Sequence, residues 1–354
     1  SGGATCPSLL LEPSRTNYYP QSEYVSTGTR VVLTNNSTTS PEGLDNAASV
    51  VATSASGSHE VTTSVINIAG TGFRTFSTFA KYNGNHLVLT AAYNSSNWTG
   101  CVFDLQNGVV KTPQKAGVQD LCIPDIEDYG NGWYRCSITF NIFSSTYQYI
   151  ISLTDDVDAT LSTWGAVYYV GDDVSGIYLY GNQVEVGNFS TSYIPTYGVS
   201  QTRAADDIET QTLSAISGGE VSYFLDIDGA DDPSINSTSA NLRWYFNSGS
   251  FVTWNNNASS NHRIRVTSAS GNEYLSSFVN RDSRCKIIAL LTATEVKVYA
   301  NGALVGIESI DADWSSTNKI DSSITNAVGV VPVKQILLFP TRLTDSEAIA
   351  LTTI

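Results

Sequence analysis

The chain has 354 residues, 41% of them hydrophobic and only 14% charged, with 19 Tyr, 12 Phe and 6 Trp. That length suffices for two domains of ordinary size, and the composition is too apolar and aromatic for a disordered chain. A net charge of −15, from 33 acidic against 18 basic residues, denies the chain the cationic surplus that phosphate recognition uses, so neither nucleic acid nor an anionic membrane surface is an expected partner.

No apolar run approaches the ~20 residues of a membrane helix, and no basic segment leads an apolar one as in a secretory signal. The chain begins at Ser1 and holds no Met, as expected of a piece of something longer. Its acidity reads first as solubility. A second reading is a structural Ca²⁺ site in the Asp-rich stretches at Asp155, Asp156 and Asp158, at Asp172 and Asp173, or at Asp226, Asp228, Asp231 and Asp232, although none has EF-hand spacing. Turns enrich Asp for local hydrogen bonding in any case.

Along the chain the dominant period is two, the signature of half-buried strands. Clusters such as Asn83-Gly84-Asn85, Gly130-Asn131-Gly132 and Asn301-Gly302 punctuate it with the positive φ angles that tight hairpins require. Tyr93 to Trp98 (YNSSNW) mixes aromatic rings with amides. A sugar offers one apolar face and a polar rim, so Tyr93, Asn97 and Trp98 are candidate carbohydrate ligands. Trp98 has an alternative reading as a core residue.

After the turn at Gly130, Tyr134, Cys136, Ile138, Phe140 and Ile142 share one buried parity. Trp133 and Arg135 fall on the opposite face, where Arg135 is a candidate hydroxyl partner and Trp133 reads more readily as packing. The parity then breaks at Gly181: Ile177 and Leu179 precede it, whereas Val184 and Val186 follow it. Burying both aliphatic sets requires a register slip, and glycine inside a strand marks such a bulge. Gln183 and Glu185 are thereby expected to point away from the core, beside Arg135, as further candidate ligands.

Between Pro195 and Ile208 the strand pattern lapses, which sets the expected domains at 1–207 and 208–354. In the second, Leu242, Trp244 and Phe246 share a parity that reads as core, whereas Trp254 stands before Asn255-Asn256-Asn257 at a strand end. Trp254 and Asn255 are therefore candidates at a loop rim. His262, Ile264 and Val266, then Val296, Val298 and Ala300, give two more alternating strands. Thr344-Asp345-Ser346-Glu347 is a capping box that opens one short helix. The fold class expected is all-β: two antiparallel β-sandwich (jelly-roll) domains with one short C-terminal helix.

The five cysteines, Cys6, Cys101, Cys122, Cys136 and Cys285, form no C-x-x-C pair, which disfavours zinc. Reduced thiols are expected; a Cys101 to Cys122 bridge stays open, and Cys136 reads as a small buried hydrophobe. With three scattered histidines (His59, His86 and His262) and neither H-E-x-x-H nor G-x-S-x-G, zinc hydrolysis and α/β-hydrolase chemistry are disfavoured.

Three segments carry a family resemblance. The opening CPSLLLEPSRTNYYPQSE (Cys6 to Glu23), the inner DYGNGWYRCS (Asp128 to Ser137) and the closing GNQVEVGNFSTSYIPTYGVSQTRAADD (Gly181 to Asp207) resemble, in order, a family of bacteriophage structural proteins of tail fibres, head fibres and related appendages. The resemblance implies a carbohydrate-binding-module-like sandwich at 1–207. More loosely, VKVYANGALVG (Val296 to Gly306) and QILLFPTRLTDSEAIAL (Gln335 to Leu351) are similar to the concanavalin/laminin-G class of sandwich, which implies that fold at 208–354.

Glucanases of the concanavalin-like class carry an E-x-D-x-x-E strand for two-carboxylate hydrolysis. The nearest segment here, FLDIDG at Phe224 to Gly229, has no Glu at either required place, so no enzymatic activity and no cofactor are expected. What the resemblance implies instead is a virion-surface protein, assembled in the bacterial cytoplasm and non-catalytic. Its partners would be a host-surface or mucin-like glycan, other virion subunits, and copies of itself, as in a trimer. Two alternatives stay open: a purely structural capsid or fibre protein, and an accessory module of a carbohydrate-active enzyme.

Overall fold

Period-two alternation becomes antiparallel pairing in a computed structural model. The structure describes residues 9–63, 65–70, 72–206, 220–227, 241–246, 250–256, 261–268, 271–280, 284–310, 317–323 and 331–353. It divides into two units, Arg15–Arg203 and a second formed by Ser1–Ser14 with Ala204–Ile354. The division expected at 207 thus falls near Arg203. The N-terminus departs from expectation: Leu9–Leu11 pairs with the strand Val331–Phe339, at Val331 to Val333, and belongs to the second unit.

The unit Arg15–Arg203 is a sandwich of two sheets. Its first sheet runs, edge to edge, through Ile123–Gly130, Trp133–Asn141, Phe73–Asn83, Gly176–Val186, Ala47–Ala52 and Val31–Thr38. The second runs through Val109–Val110, Asn97–Asp104, His86–Asn94, Thr146–Thr154 and Glu60–Thr62, with Gln114–Ala116 and Ile66–Asn67 pairing beside it. Between them lies a core that includes Phe76, Cys136, Ile138, Phe140, Ile177, Leu179 and Val184 from one sheet and Leu87, Leu89, Cys101, Phe103, Tyr149 and Ile151 from the other. Each fully buried large apolar side chain contributes about 1.5–3 kcal/mol, so this layer dominates the stability of the unit.

The alternation of Cys136, Ile138 and Phe140 points into that core as expected. So does the bulge: the pairing of Gly176–Val186 with Phe73–Asn83 shifts between Tyr180 and Gln183, and Gly181 sits at φ +64.

The second unit has a six-stranded sheet, Leu9–Leu11, Val331–Phe339, Val221–Ile227, Cys285–Leu291, Glu295–Ala300 and Ala303–Ser309. A five-stranded sheet comprises Gly271–Asn280, Asn261–Ser268, Ser250–Asn256, Asn241–Phe246 and Thr317–Ser323. One face of the Val221–Ile227 strand joins Ile264, Val266, Ile287, Val296 and Val298 in a core. On the opposite face Phe224, Ile288, Leu290 and Tyr299 pack against Ala348 and Leu351 of the helix Asp345–Thr352. The capping box forms both ways: Glu347 N–H donates to Thr344 Oγ1 (3.3 Å) and Thr344 N–H to Glu347 Oε2 (2.8 Å).

Cys101, Cys122, Cys136 and Cys285 are free thiols, and no bridge joins Cys101 to Cys122. Burial pushes the Cys101 thiol up to about 12 and Cys122 up to about 11. Asp226, in the segment nearest a glucanase strand, is buried and held by Arg284 through two bonds of 3.0 and 2.7 Å.

A candidate glycan trough on the outer face of one sheet

The second sheet of the Arg15–Arg203 unit has a partly covered outer face. Val88, Ala92, Trp98, Val102 and Ile150 project from it and are covered by Ala159, Leu161 and Val167 of the following loop. This loop turns sharply at Thr163–Gly165, where Trp164 (φ 63) and Gly165 (φ 71) are both left-handed. Gly165 fits because a Cβ there would lie 2.4 Å from Thr90 Cγ2. Its carbonyl accepts from Thr90 Oγ1 at 3.3 Å, and Trp164 N–H donates to Ser95 O at 3.1 Å. The turn is thereby pinned to the sheet, and Trp164 is held in a conformation that costs an L-residue roughly 1–2 kcal/mol. Backbone strain of this kind concentrates at ligand sites.

Trp164 rests against the Trp98 cluster and is only partly buried, whereas Tyr168 is 60% exposed. Together with Glu60, Thr62, Gln148 and Ile150 they line a trough of about 350 Å³. Glu60 occupies the sheet edge, where its N–H and C=O pair with Thr29 at 3.0 and 2.8 Å. Burial raises its carboxyl above the usual value, against hydrogen bonds from Ser58 and Thr62 and the nearby Arg30 guanidinium. The trough therefore combines aromatic surface with an amide, a hydroxyl and a carboxylate, the mixture that a sugar ring matches on its apolar face and polar rim.

The residues singled out from sequence lie elsewhere. Trp98 is 6% exposed and forms part of the floor beneath the loop, so it cannot serve as a stacking platform. Asn97 is committed to its own turn: its amide donates to Asn94 Oδ1 (2.8 Å) and its carbonyl accepts from Val118 N–H (2.9 Å). Tyr93 is 43% exposed, but its ring leans towards Tyr147 with centroids 6.2 Å apart.

Arg135, Gln183 and Glu185 do face away from the inter-sheet core and share one surface, yet all three are buried. The segment following Glu185 covers Gln183 and Glu185, and Arg135 lies over the Phe79 ring. Ile194 N–H donates to Gln183 Oε1 at 2.7 Å, Thr191 donates to Glu185 through both N–H and hydroxyl, and Arg135 donates to Ser77 Oγ at 3.2 Å. The rest of that face is filled by Phe79, Trp133, Tyr180 and Tyr193. Parity assigns the side of a strand correctly and says nothing of what lies over it. The side chains of Trp254 and Asn255 lie outside the described residues; their backbone is in the strand Ser250–Asn256.

Sequence reasoning passed over Trp164 and Tyr168. The available signal was a Trp-Gly pair followed by two tyrosines, Tyr168 and Tyr169, lying between the Asp-rich stretches at Asp155 to Asp158 and Asp172 to Asp173. As to cations, no group of three or more His, Cys, Asp or Glu among the described residues is placed to hold a metal ion. Asp172 bonds Val174 and Ser175, Asp173 bonds Ser54 N–H, and Asp158 pairs with Lys111 at 2.8 Å. Asp228, Asp231 and Asp232 lie outside the described residues.

No protein-family model matches the chain, and no curated protein matches it. Among solved structures, it is similar to the CBM40 of the Ruminococcus gnavus IT-sialidase bound to α2,3-sialyllactose: 12% identity, TM-score 0.31, 41% of this chain and 97% of that one. It is similar to a heptameric SAP-like pentraxin from Limulus polyphemus at 13% identity and TM-score 0.31, over 40% of this chain and 73% of that one. The LG1-3 region of the laminin α2 chain matches at 9% identity and TM-score 0.26, over 81% and 67%. Likeness at this level fixes neither family nor ligand.

Proposed function

We propose that this chain is a non-catalytic glycan-binding protein and that the Trp164/Tyr168 trough is its binding site. The observation that carries the reading is the strained, pinned turn that presents Trp164 beside exposed Tyr168 over Glu60, Thr62 and Gln148. Absence of catalysis is supported by the trough's single carboxylate, Glu60, among its lining residues, since retaining and inverting glycosidases ordinarily use two. The setting proposed is a virion appendage, a tail or head fibre displaying the site to host-surface or mucin-like glycans and assembled with other virion subunits. That setting is supported by the three ordered motifs at Cys6 to Glu23, Asp128 to Ser137 and Gly181 to Asp207.

The test is a glycan array probed with the wild-type protein, Trp164→Ala and Tyr168→Ala. Truncating a stacking aromatic at a hot spot costs about 2 kcal/mol or more, which is a roughly thirtyfold loss of affinity. Binding by the wild type that falls at least tenfold in Trp164→Ala is expected. An array with no bound glycan, or variants that bind as well as the wild type, would overturn the reading.

A further inference from the structure

A second trough of about 320 Å³ lies against the same short strand, Glu60–Thr62, and Thr62 lines both. Its lining includes Tyr24, Gln21, Thr27, Thr63 and Val65. Tyr24 is 54% exposed and Val65 57% exposed, so aromatic and aliphatic surface is again accessible beside hydroxyls and an amide. The strand between the two hollows is three residues long, about 10 Å at the usual strand rise, and the Thr29 backbone pairs with it at Glu60.

Resting on the reading of the first trough as a glycan site, we infer that the protein recognises a linear oligosaccharide that crosses Thr62 and fills both hollows. A lone terminal sugar would leave one of them empty. Each hollow has its own exposed aromatic, Tyr168 in the first and Tyr24 in the second, and each has polar groups able to meet hydroxyls. Once one end of a chain is seated, engagement of the other end is intramolecular, so affinity multiplies without a new encounter. The dependence of affinity on chain length is therefore the signature of the joined site.

Calorimetric titration of the full chain with cello-, malto- and chito-oligosaccharides of one to six residues tests this. In a series that binds, affinity is expected to rise at least tenfold from the shortest bound oligomer and then level off. Tyr24→Ala should abolish the rise, and Tyr24→Phe, which keeps the ring, should retain it. Trp164→Ala should weaken every length. Affinity that is flat with length, or a rise that survives Tyr24→Ala, would overturn the joined site alone. No binding at any length by the wild type would count against the glycan reading itself.

Discussion

Trp98 and Trp164 touch the same cluster and have opposite roles. The indole of Trp98 is packed among Val88, Ala92, Val102 and Ile150, and Trp164 lies over that layer with part of its surface in solvent. Removing Trp98 leaves a cavity under the loop that carries Trp164, and truncating a buried aromatic costs about 3–5 kcal/mol. Trp98→Ala should therefore lower the denaturant midpoint and weaken glycan binding indirectly, by loosening the turn. Trp164 should behave in reverse, with binding lost first. Because its backbone is left-handed, Trp164→Gly is expected to be more stable than Trp164→Ala in urea titration, since an L-residue pays roughly 1–2 kcal/mol in that conformation and glycine does not. Equal midpoints for the two variants would show that the turn relaxes when the indole is removed.

At the scale of elements, the bulge at Gly181 is the feature most clearly written in the chain. Leu179 and Val184 both reach the core only if one extra residue is absorbed between them, and Gly181 allows this at φ +64 with Phe79 close by. An added Cβ would lie 2.8 Å from Phe79 Cδ2. Gly181→Ala combines that clash with a left-handed penalty of roughly 1–2 kcal/mol, so its melting temperature should fall by several degrees, as about 2–4 °C per kcal/mol is usual for a domain of this size. An unchanged melting temperature would mean that the register can slip elsewhere. The strand alternations and the Thr344 cap were legible for the same reason: neighbours in sequence decide them. The trough was not, because it depends on which loop crosses which sheet. Gln183 and Glu185 carry the outward parity their positions require, and only the return of the segment just after them, at Thr191 and Ile194, makes them internal, which alternation along the strand does not show.

Local turns also set the acid response. Asp172 accepts from Ser175 N–H, Ser175 Oγ and Val174 N–H, which holds its carboxyl at about 2, below the usual 3.8. A depressed folded value adds stability that is present above the unfolded value and is lost as pH falls through the folded one. The stability gap between wild type and Asp172→Ala should therefore be full at pH 5 and above and close between about pH 4 and 2. A gap that stays constant over that window would show that the turn does not depend on the charge.

For the whole molecule, the N-terminal strand decides where the chain can be cut. The segment Leu9–Leu11 takes its hydrogen bonds from Val331 to Val333, in the unit that also contains Ala204–Ile354. A fragment of residues 1–207, cut where the sequence pattern lapses, keeps three consecutive leucines without the strand that pairs with them. An unpaired apolar strand is a template for association between chains. A fragment of residues 15–203 omits it and retains both sheets, the Phe76 core and every residue lining the two troughs. It should fold cooperatively, remain monodisperse in light scattering at concentrations where 1–207 aggregates, and bind the same glycans as the full chain within a few-fold. If 15–203 is folded but no longer binds, the ligand contacts lie outside these troughs and the candidate surface moves to the other unit, where Trp254 and Asn255 become the first residues to substitute.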